Sequence, residues 1–151
     1  MHDQPQWAER FDHEIAEAMV RASAAPEGFN TGIPAYLGIH FTEVVPGRCV
    51  AELEVGEHLL NPFGAAHGAV LASMVDHVLG SVVFPLVPRG TWPATLEFKL
   101  NYLAPVRPGR LRATARLRSL TQRTAVVEVD CESGDRLVGT ALGTLALTPP
   151  R

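Results

Sequence analysis

Cysteine is scarce in this chain: Cys49 and Cys131 are the only two, far apart and with no CxxC pair. That excludes a disulfide-stapled scaffold and a Cys-rich zinc site, and reads as two small apolar core residues in a reducing compartment. Charge is also thin. Asp, Glu, Lys and Arg make up 19% of residues and the formal net charge is −3, which supplies no basic footprint for nucleic acid or anionic lipid. The opening MHDQPQWAERFDHE lacks the basic and apolar regions of a signal peptide, so a cytoplasmic location is expected. Equally missing are GxSxG, HExxH, a glycine-rich phosphate loop with a following Lys, and Cys/His metal spacing. These catalytic templates therefore fit poorly.

What is there is apolar and patterned. Hydrophobic residues make up 46% of 151 residues, enough for one domain with an ordinary core. Residues 4–24 have helical character, with Trp7, Phe11, Ile15, Met19 and Val20 roughly on one stripe. The stretch APEGFNTGIP (25–34) reads as a linker. A hairpin follows around Pro46-Gly47, its second arm alternating Cys49, Ala51, Leu53 and Val55 with polar neighbours. The run from Pro62 to Pro88 is apolar enough to suggest a membrane span. Asp76, His77, internal glycines and Pro85 favour a buried core helix instead, starting near Ala65 and ending before Pro85.

After Pro88 the period changes to two. Leu96, Phe98, Leu100 and Tyr102 form one alternating set; Leu111 to Leu117, Ala125 to Cys131, and Leu137 to Leu147 form three more. One core helix with about five or six antiparallel strands predicts an α+β fold, a curved sheet wrapped around a helix. Residues 1–34 are expected to form an N-terminal helix and linker, and 35–151 the main domain. Gly139, Ala141 and Gly143 share one face of the last strand and mark a place for close packing or a subunit contact.

The chemistry concentrates in NPFGAAHGAVLASMVDHVLG (61–80). A helix this apolar is expected to be buried all round, where an ionised carboxylate costs several kcal/mol unless paired or wet. Asp76 therefore needs a reason. Its neighbours one turn away, Ala72, Ser73, Leu79 and Gly80, are mostly small and could admit water, a partner backbone or a ligand. The alternative is a structural Asp bonded to serine or backbone. His67 lies nine residues earlier, about 13 Å along a helix and half a turn around it. Within one chain the two cannot share a reacting atom. Either their roles are separate, or a second copy completes the site across a dimer axis. The helix start offers free N–H groups at Gly68 able to polarise a carbonyl. His77 could bond Ser73 or Ser81 and reads as a satisfied core or interface histidine.

The order Asn61-x2-Gly64-x2-His67-Gly68, with Asp76 eight residues on and then the strand TLEFKLNYLAPV, resembles the hotdog-fold acyl-CoA thioesterases. Within them it looks most like the PaaI-like, phenylacetyl-CoA thioesterase branch. The resemblance implies a hotdog fold that assembles as a homodimer or homotetramer and acts on an acyl-CoA, coenzyme A being part of the substrate. The thioester chemistry it implies needs no metal or cofactor. By matching position, Asp76 resembles the nucleophile or general base, and Gly68 the glycine whose N–H polarises the thioester carbonyl. Asn61 resembles the polar residue that positions water or carboxylate, His67 the supporting histidine of the HGG motif, and Thr95 a Ser/Thr that helps hold the attacking water. Here that motif is His67-Gly68-Ala69. Arg89, Arg107 and Arg110 are candidates for the CoA phosphates, the row Arg110, Arg112, Arg116 and Arg118 being read as one exposed strand face. Phe63, Met74 and Trp92 are pocket-lining candidates. A hotdog protein that binds acyl-CoA without turnover is the alternative, and a hotdog hydratase or dehydratase a more remote one.

Overall fold

Alternation of apolar and polar residues dictates most of the architecture seen in the computed structural model, which describes residues 6–24 and 31–150. A 3₁₀ turn over Gln6–Arg10 leads into α1 (His13–Ala24), and a short α2 (Ile33–Leu37) precedes the hairpin of β1 (His40–Val45) and β2 (Arg48–Val55). The core helix α3 (Gly68–Ser81) follows, then β3 (Trp92–Tyr102), β4 (Gly109–Leu120), β5 (Thr124–Ser133) and β6 (Arg136–Thr148). The strands form one antiparallel sheet in the order β1-β2-β4-β5-β6-β3. With α3 packed against β2 to β6, this is the sheet around a helix that the patterning predicted and the hotdog architecture that the resemblance implied, with an additional N-terminal helix.

The inward positions of the strands are closed. Cys49, Ala51, Leu53, Leu111, Ala113, Ala115, Val127, Val129 and Cys131 are all buried against Val70, Leu71, Met74, Val75, Val78 and Leu79 of α3. Each such large side chain contributes roughly 1.5–3 kcal/mol by leaving water, so burial rather than helix propensity holds α3 in place. Small residues on β6 set the closeness of approach. A Cβ on Gly143 would meet Leu79 Cδ1 and Phe98 Cβ at 2.9 Å, and one on Gly139 would meet Leu71 at 3.4 Å. The glycine face on the last strand is a packing surface for the helix. On the outer face the arginine row is laced to acids: Arg112 to Glu52, Arg116 to Asp130 and Arg118 to Glu128. That is a solvated ladder of cross-strand pairs, as expected.

Four local expectations change. The N-terminal helical segment is broken at Phe11-Asp12, because Asp12 turns its Oδ1 back to accept the Ile15 N–H at 3.1 Å as a cap. Gln4 and Pro5 of that segment, and most of the linker stretch, lie outside the described residues, while Ile33 and Pro34 already belong to α2. The core helix starts at Gly68 rather than near Ala65. The Ala66 N–H is held by the Val106 carbonyl at 2.7 Å, and Leu60 and Ala66 pair as an isolated bridge, so those residues are extended. Nor is α3 buried all round: one flank is open, as described below. Residues 68–86 are apolar enough to cross a membrane by composition, but most of that segment is buried inside the protein.

Candidate active site at the open flank of the core helix

Residues 61–67 form a compact loop that presents the start of α3. Asn61 Oδ1 accepts from the N–H groups of Phe63 (2.9 Å) and Ala65 (3.3 Å), a side-chain-closed turn. Gly64 closes it with φ +73°, a conformation that favours glycine. From β4's approach, Arg107 donates to the carbonyls of Gly64 (3.0 Å) and Phe63 (3.4 Å). His67 is the N-cap of α3, and its Nδ1 accepts from the Ala69 N–H at 3.3 Å. Accepting there leaves Nε2 as the protonated nitrogen of the neutral ring. The Ala69 N–H is thus engaged by the cap, while Gly68, as the first helical residue, has no carbonyl one turn back within the helix. The alanine in the His-Gly-Ala sequence leaves the Gly68 amide in place.

Asp76 is exposed in this chain, which overturns the expectation of an acid buried on all sides. Ala69, Ala72, Ser73, Asp76 and Gly80 recur at three- and four-residue steps and form the flank of α3 that the chain's own sheet does not cover. The burial seen on the other flank is complete. The helix is therefore apolar throughout by composition, yet sheathed on one side only. His67 caps the start of α3, about half a turn around from the flank that carries Asp76, as the spacing required, and no contact between the two exists in the chain. Thr95 lies in β3 beside the bulge between Thr95 and Glu97 and pairs with Leu145.

β3 is an edge of the sheet and leaves several apolar side chains open. Trp92 is 66% exposed, Leu96 63% and Tyr102 57%, while Phe98 and Leu100 of the alternating set pack against the core; Tyr102, opposite Gly139, lies on the helix side of the sheet. The bulge at Leu96 shifts the register and the strand has no second strand partner among the described residues. Phe63, on the loop before α3, is 86% exposed, whereas Met74 is fully buried core and lines no site. Tyr102 was not singled out from the sequence, yet its hydroxyl donates to the Gly68 carbonyl at 3.0 Å. No local signal reveals that pairing, because it is made across the fold.

The other singled-out residues divide. Arg107 stands at the loop that carries Asn61 and Gly64. Arg89 is engaged elsewhere, with Asp12 (2.9 Å from Nε) and Glu14 (2.8 Å), and Arg110 lies 3.8 Å from Glu52. His77 makes no side-chain bond to Ser73 or Ser81. The Ser81 hydroxyl donates instead to the His77 backbone carbonyl at 2.6 Å. Among the described residues no cluster of three His, Cys, Asp or Glu side chains is placed to hold a metal ion.

The fold and this open-flanked helix define a class, and comparison with known proteins agrees. Residues 63–140 match the model of the thioesterase superfamily; the chain belongs to that superfamily and is a thioesterase by class. Asn61 lies just outside the matched residues. Among curated relatives, the proofreading thioesterase EntH of Klebsiella pneumoniae is 31% identical over 138 residues, covering 89% of this chain and 96% of that protein. Among solved structures, a variant of the phenylacetic acid degradation protein PaaI from Thermus thermophilus superposes with a TM-score of 0.68 at 28% identity, covering 74% of this chain and 94% of that one. The Escherichia coli PaaI protein shares the fold, with a TM-score of 0.74 at 22% identity over 80% of this chain and 87% of that one.

Proposed function

We propose that this protein hydrolyses acyl-CoA thioesters to the free acid and coenzyme A, at sites completed by two copies of the chain. The observation that carries the reading is the position of Asp76. A carboxylate stands on a stripe of small residues along the one open flank of a helix that is otherwise core, beside an edge strand with exposed apolar side chains. A flank of this kind next to an unpaired strand suits a symmetric partner. An antiparallel α3 from that partner would bring its Gly68 end toward Asp76, which resolves the nine-residue gap between the two halves of the site. Pairs of dimers forming tetramers are consistent with the same reading.

In this scheme Asp76 acts as general base on water, or as nucleophile, toward the thioester carbonyl carbon. The Gly68 N–H from the second copy donates a hydrogen bond to the developing oxyanion. Collapse breaks the C–S bond and releases the CoA thiolate, which takes up the proton removed from water; on the nucleophilic route the acyl–Asp76 anhydride left behind is then cleaved by that water, giving the free acid and regenerating the carboxylate. Asn61 and His67 shape the loop and cap that present Gly68, and Thr95 stands on the facing strand as a water ligand. Arg107 is the basic residue placed to meet a CoA phosphate near this loop. The scheme uses water alone, without cofactor or metal. The two reduced, buried cysteines suit the cytoplasm.

The test is a thiol-release assay over a panel of acyl- and aryl-CoAs, with assembly measured by light scattering. Asp76→Asn is expected to lower turnover at least about hundredfold with fold and assembly intact. Wild-type rates in that variant would sink the assignment. CoA-ester binding without thiol release by the wild type would replace it with a binding role.

A further inference from the structure

The end of β3 reaches back to the loop that starts α3. Tyr102 Oη donates to the Gly68 carbonyl at 3.0 Å, the Val106 carbonyl accepts the Ala66 N–H at 2.7 Å, and Arg107 donates to the Gly64 carbonyl at 3.0 Å. The strand end is itself anchored, because the N–H groups of Leu103 (2.9 Å) and Ala104 (3.3 Å) both donate to the Val138 carbonyl of β6. Tyr102 depends on the glycine for its approach. A Cβ on residue 68 would lie 3.3 Å from the Tyr102 ring and hydroxyl, so only a bare Cα lets the ring rest on the helix backbone at this distance without a shift.

The backbone groups around Gly68 are nearly all taken. The His67 N–H donates to the Leu59 carbonyl at 2.9 Å, and the His67 carbonyl accepts the Val70 N–H at 2.8 Å. The next peptide is held at both ends: its N–H, on Ala69, by His67 Nδ1 at 3.3 Å, and its carbonyl, on Gly68, by Tyr102. Of these groups the Gly68 N–H alone has no acceptor among the described residues. A free N–H between two fixed peptide planes keeps one direction, which is what a donor aimed at a developing oxyanion requires. Glycine left to itself would not keep it, having the widest choice of φ and ψ. The His67 cap restrains one end of the second plane. Tyr102 restrains the other from outside the helix, on a strand anchored to β6.

We infer that Tyr102 is a positioning residue for thioester hydrolysis: through its bond to the Gly68 carbonyl it fixes the direction of the Gly68 N–H that meets the substrate's carbonyl oxygen. This rests on the thioesterase reading above. In this role Tyr102 touches neither the acyl group nor the attacking water and acts only through Gly68. Its effect is confined to the carbonyl oxygen and grows as negative charge develops there, so it falls on the chemical step rather than on the binding of the rest of the ligand.

The experiment pairs kinetics with binding on the full chain. Tyr102→Phe removes one oxygen and keeps the ring, with fold and assembly followed by thermal scans and light scattering. On the best CoA ester of the panel, kcat is expected to fall about three- to tenfold, the worth of one hydrogen bond, with KM essentially unchanged. Tyr102→Leu, which removes the ring as well, should match it, because the hydroxyl carries the effect. Calorimetry then compares two unreactive analogues of phenylacetyl-CoA: the ketone with a methylene in place of sulfur, which keeps the carbonyl, and phenethyl-CoA, the thioether that lacks it. The wild type should prefer the ketone, and both variants should lose most of that preference by weakening the ketone alone. Wild-type kcat in Tyr102→Phe overturns the inference, as does a raised KM at unchanged kcat, which would make Tyr102 a substrate contact. A ketone preference that the variants reduce, without thiol release from any CoA ester, supports the role of Tyr102 and removes only the hydrolysis. Absence of both thiol release and ketone preference overturns both readings.

Discussion

The Tyr102 hydroxyl donates a 3.0 Å hydrogen bond to the carbonyl of Gly68, so a side chain from β3 rests on the first turn of α3. A Cβ on Gly68 would meet the Tyr102 ring at 3.3 Å, slightly closer than comfortable contact. Tyr102 is exposed and can swing outward to make room. Gly68→Ala is therefore expected to keep or slightly raise the thermal midpoint, since alanine favours helix over glycine by up to about 1 kcal/mol. Turnover should nonetheless fall about tenfold, because the methyl and the displaced ring crowd the amide proposed to hold the oxyanion. Thermal scans and thiol release on the same preparation separate the two effects; a lower midpoint with full activity would contradict the assignment.

Gly143 offers the opposite balance. Its added methyl would meet Leu79 and Phe98 at 2.9 Å and the Glu97 carbonyl at 3.0 Å, and the backbone oxygen cannot rotate away. Gly143→Ala should destabilise by about 1–3 kcal/mol through overpacking. Gly139→Ala, with its nearest neighbour at 3.4 Å, should cost distinctly less. Urea midpoints of the two variants check the order.

His77 makes stability depend on pH. Its folded pKa is depressed below the ordinary value of 6.5, first by burial, with Asp76 partly opposing. In acid the unfolded chain takes up the proton more readily than the folded one, so the His77 contribution is intact above about 6.5 and is lost progressively as pH falls below it. His77→Phe should flatten that part of the stability–pH curve. Urea midpoints of wild type and variant at neutral and mildly acidic pH give the comparison; parallel curves would show that other groups dominate.

Both cysteines should be inert in the folded protein. Burial pushes the Cys49 and Cys131 thiols up to about 12, and the Cys49 thiol donates to the Val78 carbonyl at 3.7 Å. Thiolate is the reactive form. Iodoacetamide or a disulfide reagent at mildly alkaline pH should label neither residue until denaturant is added, as mass spectrometry would show.

The strands were legible because period-two alternation is a local property, and β1, β2, β4, β5 and β6 follow it closely. The helix was legible as an element, but its surroundings were not. Apolar composition cannot distinguish a flank covered by the chain's own sheet from one left open, and Asp76 consequently reads as buried. β3 misleads in part: the bulge at Leu96 breaks the alternation, and the edge position leaves Tyr102 exposed although it lies on the helix side of the sheet. The start of α3 was misplaced by the Ala66–Val106 bond, which joins residues remote in sequence. Asp12, by contrast, carried a readable cap signal before His13 and Glu14. The stacking of His77 on Phe41 and its unpaired Nε2 emerge only when β1 and α3, remote in sequence, are brought together.

The place of β3 at the far edge also bears on how the chain acquires its structure. β3 precedes β4 and β5 in the sequence but finds its partner only in β6, pairing Trp92 with Thr148 and Tyr102 with Gly139. Synthesis therefore delivers the exposed apolar side chains of β3 well before the strand that anchors it. Such non-local pairing slows folding, and an unpaired apolar edge in the interval invites association with the wrong neighbour. A ribosome-bound chain halted before β6 would present both Trp92 and Leu96 to any passing chaperone.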